Sequence, residues 1–213
     1  MSSSNRPVRP SYTLKLANTK NEVEACYDIR MEVFCVEQGF TVEDEMDEYD
    51  PHSFHFLLTI PISSPPDVST SSLPPTNDTP TTTEKPIGTI RFVPGKSKLT
   101  RLAILKDYRK FGFGRVLVEG MENFVRQNAV KESLGKIIEE QGEKWITIKC
   151  HSQIHAIPFY EKLGYVAKGP QFDEDGGTFP ANVSPHRPYN DIALAPHQLL
   201  VHRLQVDDDY KSE

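Results

Sequence analysis

Polar and apolar residues alternate through 11–17 (Ser-Tyr-Thr-Leu-Lys-Leu-Ala), the two-residue period of a strand with one buried face. Asn18-Thr19 then offers cap chemistry for a helix running to about Gln38. Its apolar face carries Val23, Cys26, Tyr27, Val33 and Phe34, and the 3.6-residue period puts Arg30 on that same face. A buried guanidinium must be paired or bonded to carbonyls. Arg30 is therefore read as tying the helix to a neighbouring loop, with contact to a substrate as the other reading. An acidic loop, 39–52, leads to a strand over Phe54–Ile60. Ile87–Val93 and Leu99–Leu105 read as strands joined in a hairpin around Pro94-Gly95. A helix begins near Gly112, with Phe113, Val116, Leu117, Met121, Phe124 and Val125 on one stripe. The polar residues 128–143 predict an extension of that helix or a second one. Trp145–Cys150 is a strand, Ile154–Leu163 a short helix stopped by Gly164, and Tyr165–Ala167 the start of another strand. A loop rich in Gly, Pro and Asp covers 169–188, and Asp191–Leu194 reads as the last strand.

Residues 61–86 contain seven prolines and no glycine. Such a stretch cannot bury enough apolar area to offset its ordering entropy, so it is expected to be a disordered insertion between two strands. The domain plan is a flexible N-terminus (1–10), one domain (11–200) holding that insertion, and an acidic C-terminal tail (201–213). The chain's 213 residues suit this plan.

Net charge is −6, which gives a nucleic-acid role no basic face to work with. No apolar run approaches the roughly 18 residues of a membrane-spanning helix, and the N-terminus lacks a secretory pattern. Cys26, Cys35 and Cys150 lie apart without metal-ligand spacing and read as buried free thiols of a reducing compartment, the cytoplasm. No metal is expected.

The chemistry concentrates in Leu102-Ala103-Ile104-Leu105-Lys106-Asp107-Tyr108-Arg109-Lys110-Phe111-Gly112-Phe113-Gly114-Arg115: a strand, a turn with two close glycines, a helix. Backbone N–H groups at a helix start form an anion cradle, and glycines let phosphate approach the main chain. Arg109, Lys110 and Arg115 add positive charge, so a diphosphate is the natural guest. The turn lacks the Gly-Lys-Ser/Thr ending of a Walker loop, and the three-glycine dinucleotide pattern fails where Leu117 stands.

Arg109, Gly112 and Gly114, following a Leu-Ala-Ile strand, resemble the acetyl-CoA signature of the GNAT N-acetyltransferase superfamily. Further on, Gln153-Ile154-His155-Ala156-Ile157-Pro158-Phe159-Tyr160-Glu161-Lys162-Leu163-Gly164-Tyr165 resembles its second signature, a Phe-Tyr-x-x-x-Gly-Phe/Tyr helix end. The segments 30–38 and 152–176 are similar to the ElaA-type branch, with Pro185-His186 standing for its Pro-His pair. The resemblance covers roughly 11–197.

It implies an α/β (α+β) fold whose mixed, mostly antiparallel central sheet is flanked by helices and splays at the cofactor site, between Leu99–Leu105 and Trp145–Cys150. It further implies that acetyl-CoA is the cosubstrate. Leu102, Ala103 and Ile104 would line its pantetheine arm, the main chain of Ala103 and Ile104 pairing with the arm's amides. Arg109, Lys110, Phe111, Gly112, Phe113, Gly114 and Arg115 would hold its diphosphate, and Gln153 and Tyr160 would complete the site. Tyr160 is the implied acid for the leaving thiolate, with packing under the sulfur as its other reading.

An amine of pKa about 10 costs on the order of 4 kcal/mol to deprotonate at pH 7 without a base. His151, at a strand end beside the gap, is the first candidate, with His155 and His55 as alternatives. The acidic loop (Glu43, Asp44, Glu45, Asp47, Glu48, Asp50) is expected either to be solvated or to attract a cationic amine. Three functions stay open: N-acetyltransfer to a small-molecule amine, N-acetyltransfer to a protein or peptide, and acyl-CoA binding without catalysis. A homodimer is compatible with each.

Overall fold

The computed structural model describes residues 7–62, 83–172 and 196–207. Among them, strands β1 (Thr13–Leu16), β2 (Phe54–Ile62), β3 (Thr83–Val93), β4 (Lys98–Ile104), β5 (Ile137–Glu140), β6 (Glu143–Gln153), β7 (Val166–Phe172) and β8 (His197–Gln205) form one sheet. Its order is β1-β2-β3-β4-β6-β8-β7, with β5 added beside β6. Every pairing is antiparallel except β4 with β6.

Two faces of the sheet are covered by different helices. Helix α1 (Lys20–Arg30) starts at a capping box, in which Thr19 Oγ1 accepts from Glu22 N–H and the Glu22 carboxylate accepts from Thr19 N–H. It continues as a wider π-type turn over Met31–Glu37. Cys26, Ile29 and Val33 pack there on Leu57 and Ala103. Helix α3 (Phe113–Asn128) lays Phe113, Val116, Leu117, Met121 and Val125 on the opposite face, against Phe56, Leu58, Ile90 and Phe92. The neighbours Phe56 and Leu57 serve opposite layers, as strand alternation requires. Two short helices, α2 (Val42–Glu45) and α4 (Ile157–Glu161), complete the flanks.

Three expectations need correction. Residues 128–143 do not prolong α3: Gln141 and Gly142 both take positive φ (54° and 81°), closing a tight hairpin between β5 and β6. The expected insertion 61–86 is trimmed at both ends, because Pro61↔Glu84 and Ile62↔Thr83 still pair. Pro61 is tolerated since β1 reaches only to Thr59, so β2 needs no N–H on that side there. Pro86 sits beside the irregularity between Leu58 and Thr59. Residues 63–82 lie outside the described residues, as do Asp191–Leu194 and Pro185-His186. Finally, 201–205 are not tail: they belong to β8, whose Leu200 and Leu204 are buried in the core.

Candidate active site

Strand β6 gives one whole edge, Trp145 to Gln153, to β8. Its other edge is shared: residues 143–146 pair with β5, and Lys149 alone pairs with β4, at Lys98, where Lys149 N–H donates to the Ser97 carbonyl at 2.9 Å. Beyond that point the two strands diverge. A cleft of 490 Å³ opens between Lys98–Leu102 and His151–Gln153, walled also by Phe34, Phe40, Phe159 and Tyr160.

A bulge shapes the β4 side of this cleft. Ile90 of β3 faces two residues of β4, Arg101 and Leu102, and Arg101 takes φ +54°. Beyond the bulge, Leu105 N–H donates to the Ile87 carbonyl at 2.9 Å, so by alternation Ala103 also turns its main chain toward β3. Ile104 turns the other way, toward the gap. The expectation that Ala103 and Ile104 both pair with a pantetheine arm is thus corrected: the main chain of Ala103 is spent on Thr89 and its methyl on α1.

The glycine turn enters α3 as foreseen. Gly112 caps the helix at φ +80°, and the N–H groups of the first turn have no intrahelical acceptor. A Cβ on Gly114 would come 3.2 Å from the Phe159 ring, so this glycine sets how closely α4 approaches α3. The turn's cations are differently committed. Arg109 donates to both carboxylate oxygens of Glu37 (2.6 and 2.7 Å) and through Nε to the Ile104 carbonyl (3.0 Å). Arg115 pairs with Glu119 at 3.0 Å on the exposed helix surface. Lys110 is exposed at φ +71°.

Tyr160 lies on the cleft wall, 7% exposed, between Phe159 and Tyr165. Burial pushes its phenol well above the ordinary tyrosine range. Gln153 and His151 line the same cleft. Lys98 Nζ lies 3.0 Å from His151 Nδ1, so Nδ1 accepts and the ring proton of a neutral His151 sits on Nε2. His155 is exposed at the rim. His55 is removed from the candidate bases: it is 3% exposed, away from the cleft, and its Nε2 meets the Asp50 carbonyl at 3.0 Å.

The acidic loop overturns both of its expectations at three positions. Arg30, completely buried, binds Glu45 and donates to Asp50 at 2.6 Å. Arg91 donates to Asp50 at 2.6 Å and forks onto Asp47 at 2.7 Å, and Arg101 reaches Glu45 at 3.1 Å and the Asp44 carbonyl at 2.8 Å. Three arginines thus neutralise three carboxylates and strap the loop across β3 and β4 as a wall of the cleft. Only Glu43, Asp44 and Glu48 stay exposed. The tie proposed for Arg30 holds. Arg91 and Arg101 were missed, although an arginine inside the apolar run Ile87–Val93 was a signal.

This network makes stability fall in acid. Burial alone would raise Asp50 and Asp47, but the arginines outweigh it and hold both below the usual carboxylate range. Their contribution is present above the unfolded pKa of about 3.9 and is lost as pH falls through the folded values. Burial also lowers His55, which must stay neutral, so its contribution fades as pH drops below about 6.5. Glu45, raised by burial, opposes the trend. Melting curves from pH 7 to 3 are expected to show a small loss first and a steeper one below about pH 4. A flat melting temperature over that range would contradict it.

Comparison with known proteins follows the same geometry. A profile described as an acetyltransferase (GNAT) domain matches residues 80–180. A protein of Bacillus subtilis (strain 168), named as an acetyltransferase, is 32% identical over 76% of this chain and 89% of its own length. A structure from Lactobacillus plantarum, named as an N-acetyltransferase, superposes with a TM-score of 0.58 at 21% identity, covering 91% of this chain and 99% of that one. Escherichia coli ElaA does so at 0.53 and 15%, covering 90% and 98%.

Proposed function

Because this chain belongs to the GNAT family of acetyltransferases, we propose that it moves an acetyl group from acetyl-CoA to the primary amine of a small molecule, by direct attack in a ternary complex. The observation that carries this reading is the parting of β4 and β6 beyond Lys98↔Lys149, which opens a cleft lined by Lys98–Leu102 on one side and by His151–Gln153, Phe159 and Tyr160 on the other. Residues and group fit: the Ile104 N–H on the β4 edge, whose carbonyl Arg109 already holds, suits an amide of pantetheine, and a helix start with a left-handed Gly112 suits the diphosphate. The pinned loop favours a small acceptor over a peptide. It closes one side of a cleft whose 490 Å³ is in the range of metabolite pockets.

Acetyl-CoA supplies the acyl group and the thiolate leaving group; the other demands fall on the chain. Water at the cleft mouth, or His151 once its Nδ1 turns from Lys98 to the substrate, takes the proton that frees the amine's lone pair. As the C–N bond forms, cleft-facing main-chain N–H groups of β4 oppose the charge on the carbonyl oxygen. As the C–S bond breaks, the Tyr160 hydroxyl gives its proton to the departing sulfur and regains one from the amide nitrogen. The sum is one amide, one thiol and one released proton. The free thiols Cys26, Cys35 and Cys150 suit work in a reducing compartment such as the cytoplasm.

Calorimetric titration with acetyl-CoA, beside a Gly112→Asp/Gly114→Asp variant, tests the reading. Wild type is expected to bind at micromolar concentration and the variant about 100-fold more weakly, since like charges set against a phosphate cost several kcal/mol. A well-folded wild type that binds no acetyl-CoA would sink the proposal. Binding without turnover across a broad amine panel would leave an acyl-CoA-binding module, and turnover restricted to peptides would replace the small-molecule acceptor.

A further inference from the structure

Arg9 precedes β1 and lies far outside the segment matched by the family profile. The N-terminus was expected to be flexible over residues 1–10, yet Arg9 is seated on the glycine turn. Its Nε donates to the Phe111 carbonyl at 2.7 Å. Its guanidinium lies 5.8 Å from the centre of the Tyr12 ring and 5.9 Å from that of Phe113, a pair of aromatic faces that holds a cation in place. One Nη is 2.6 Å from the point where a Cβ on Gly112 would stand.

Electrostatics make this placement informative. The start of α3 carries partial positive charge, so a guanidinium held there is repelled by the helix. Among the described residues no carboxylate pairs with Arg9, whereas Arg109 is forked onto Glu37 and Arg115 makes a single contact with Glu119. The signature arginine is therefore the cation whose transfer to a phosphate would cost an ion pair, and Arg9 is one that gives up none. An arginine fork can keep Nε on a carbonyl while its terminal nitrogens reach an anion.

We propose that Arg9 is a diphosphate-binding residue of the acetyl-CoA site, delivered by the segment before β1. This rests on the reading that acetyl-CoA binds at the 109–115 turn. Arg9 reaches the turn from a segment outside the signature, and Gly112 is glycine for its left-handed backbone.

The test compares wild type, Arg9→Ala and Arg9→Lys at equal melting temperature. Acetyl-CoA affinity is measured at low and high salt, and S-acetylpantetheine, which lacks the diphosphate, is titrated in parallel. Arg9→Ala is expected to weaken acetyl-CoA about 10- to 100-fold, the effect of losing a charge-assisted contact. It also flattens the salt dependence and leaves S-acetylpantetheine unchanged. Arg9→Lys recovers part of the affinity, keeping the charge without the fork. Unchanged acetyl-CoA affinity in Arg9→Ala, or equal losses for both ligands, overturns the proposal and leaves Arg9 a prop of the turn. Failure of wild type itself to bind acetyl-CoA overturns this proposal together with the functional reading beneath it, and the wild-type titration alone tells that case apart.

Discussion

Arg30→Ala is expected to cost about 3–5 kcal/mol of stability, read as a shift of the urea midpoint at neutral pH. That is a large part of the roughly 5–15 kcal/mol that holds a domain of this kind together. Most of the cost is not the lost attraction. It is the charge left behind on Glu45 and Asp50, each under 5% exposed, with one arginine fewer to face them. Arg91 and Arg101 cannot close the vacancy, since Arg91 already spans Asp47, Asp50 and Thr100, and Arg101 is placed by its own bulge. The exposed pair of Arg115 with Glu119 serves as the control: Arg115→Ala is expected to change stability by about 0.5 kcal/mol or less. A loss below about 1 kcal/mol in Arg30→Ala would mean that loop 39–52 swings out and rehydrates its carboxylates at little cost.

For Tyr160→Phe, acetyl-CoA binding is expected to survive while kcat falls about 100- to 1,000-fold, the scale of a lost proton donor. Phenylalanine keeps the ring contacts with Phe159 and Tyr165, so the variant isolates the hydroxyl. Because burial pushes the phenol up, Tyr160 stays protonated across the working range and is expected to add no alkaline limb to the pH profile, whose acid limb is expected to come from the base. The measurement is kcat against pH for wild type and variant with whichever amine turns over. A variant within about twofold of wild type would reduce Tyr160 to a shaped wall under the sulfur and move proton delivery to water.

The two glycines, the Phe-Tyr pair and the alternating strands were legible along the chain because each depends on neighbours in sequence. A period of two or 3.6 residues reports which face is buried, and a turn at a helix start needs glycine wherever the backbone is left-handed. The same local reasoning misjudged 128–143. Helix-friendly composition there is weaker than the pairing that β6 offers to Ile137–Glu140. It also ended the domain early, since a terminal segment with scattered charge gives no sign that Leu200 and Leu204 fill a core built from residues far upstream.

The sequence by itself determined the fold class, the glycine turn at the start of α3, and the presence of Tyr160 and His151 on consecutive elements beside a gap. Only the tertiary structure decided how charge is distributed around that gap. Opposite charges remote in sequence pair according to where the sheet brings them, so Arg91 meets Asp47, Arg109 turns to Glu37, and Arg9 comes to the glycine turn. Burial then sets the strength of each encounter, because a pair withdrawn from water interacts through a poorly screening medium, and no spacing along the chain records that withdrawal.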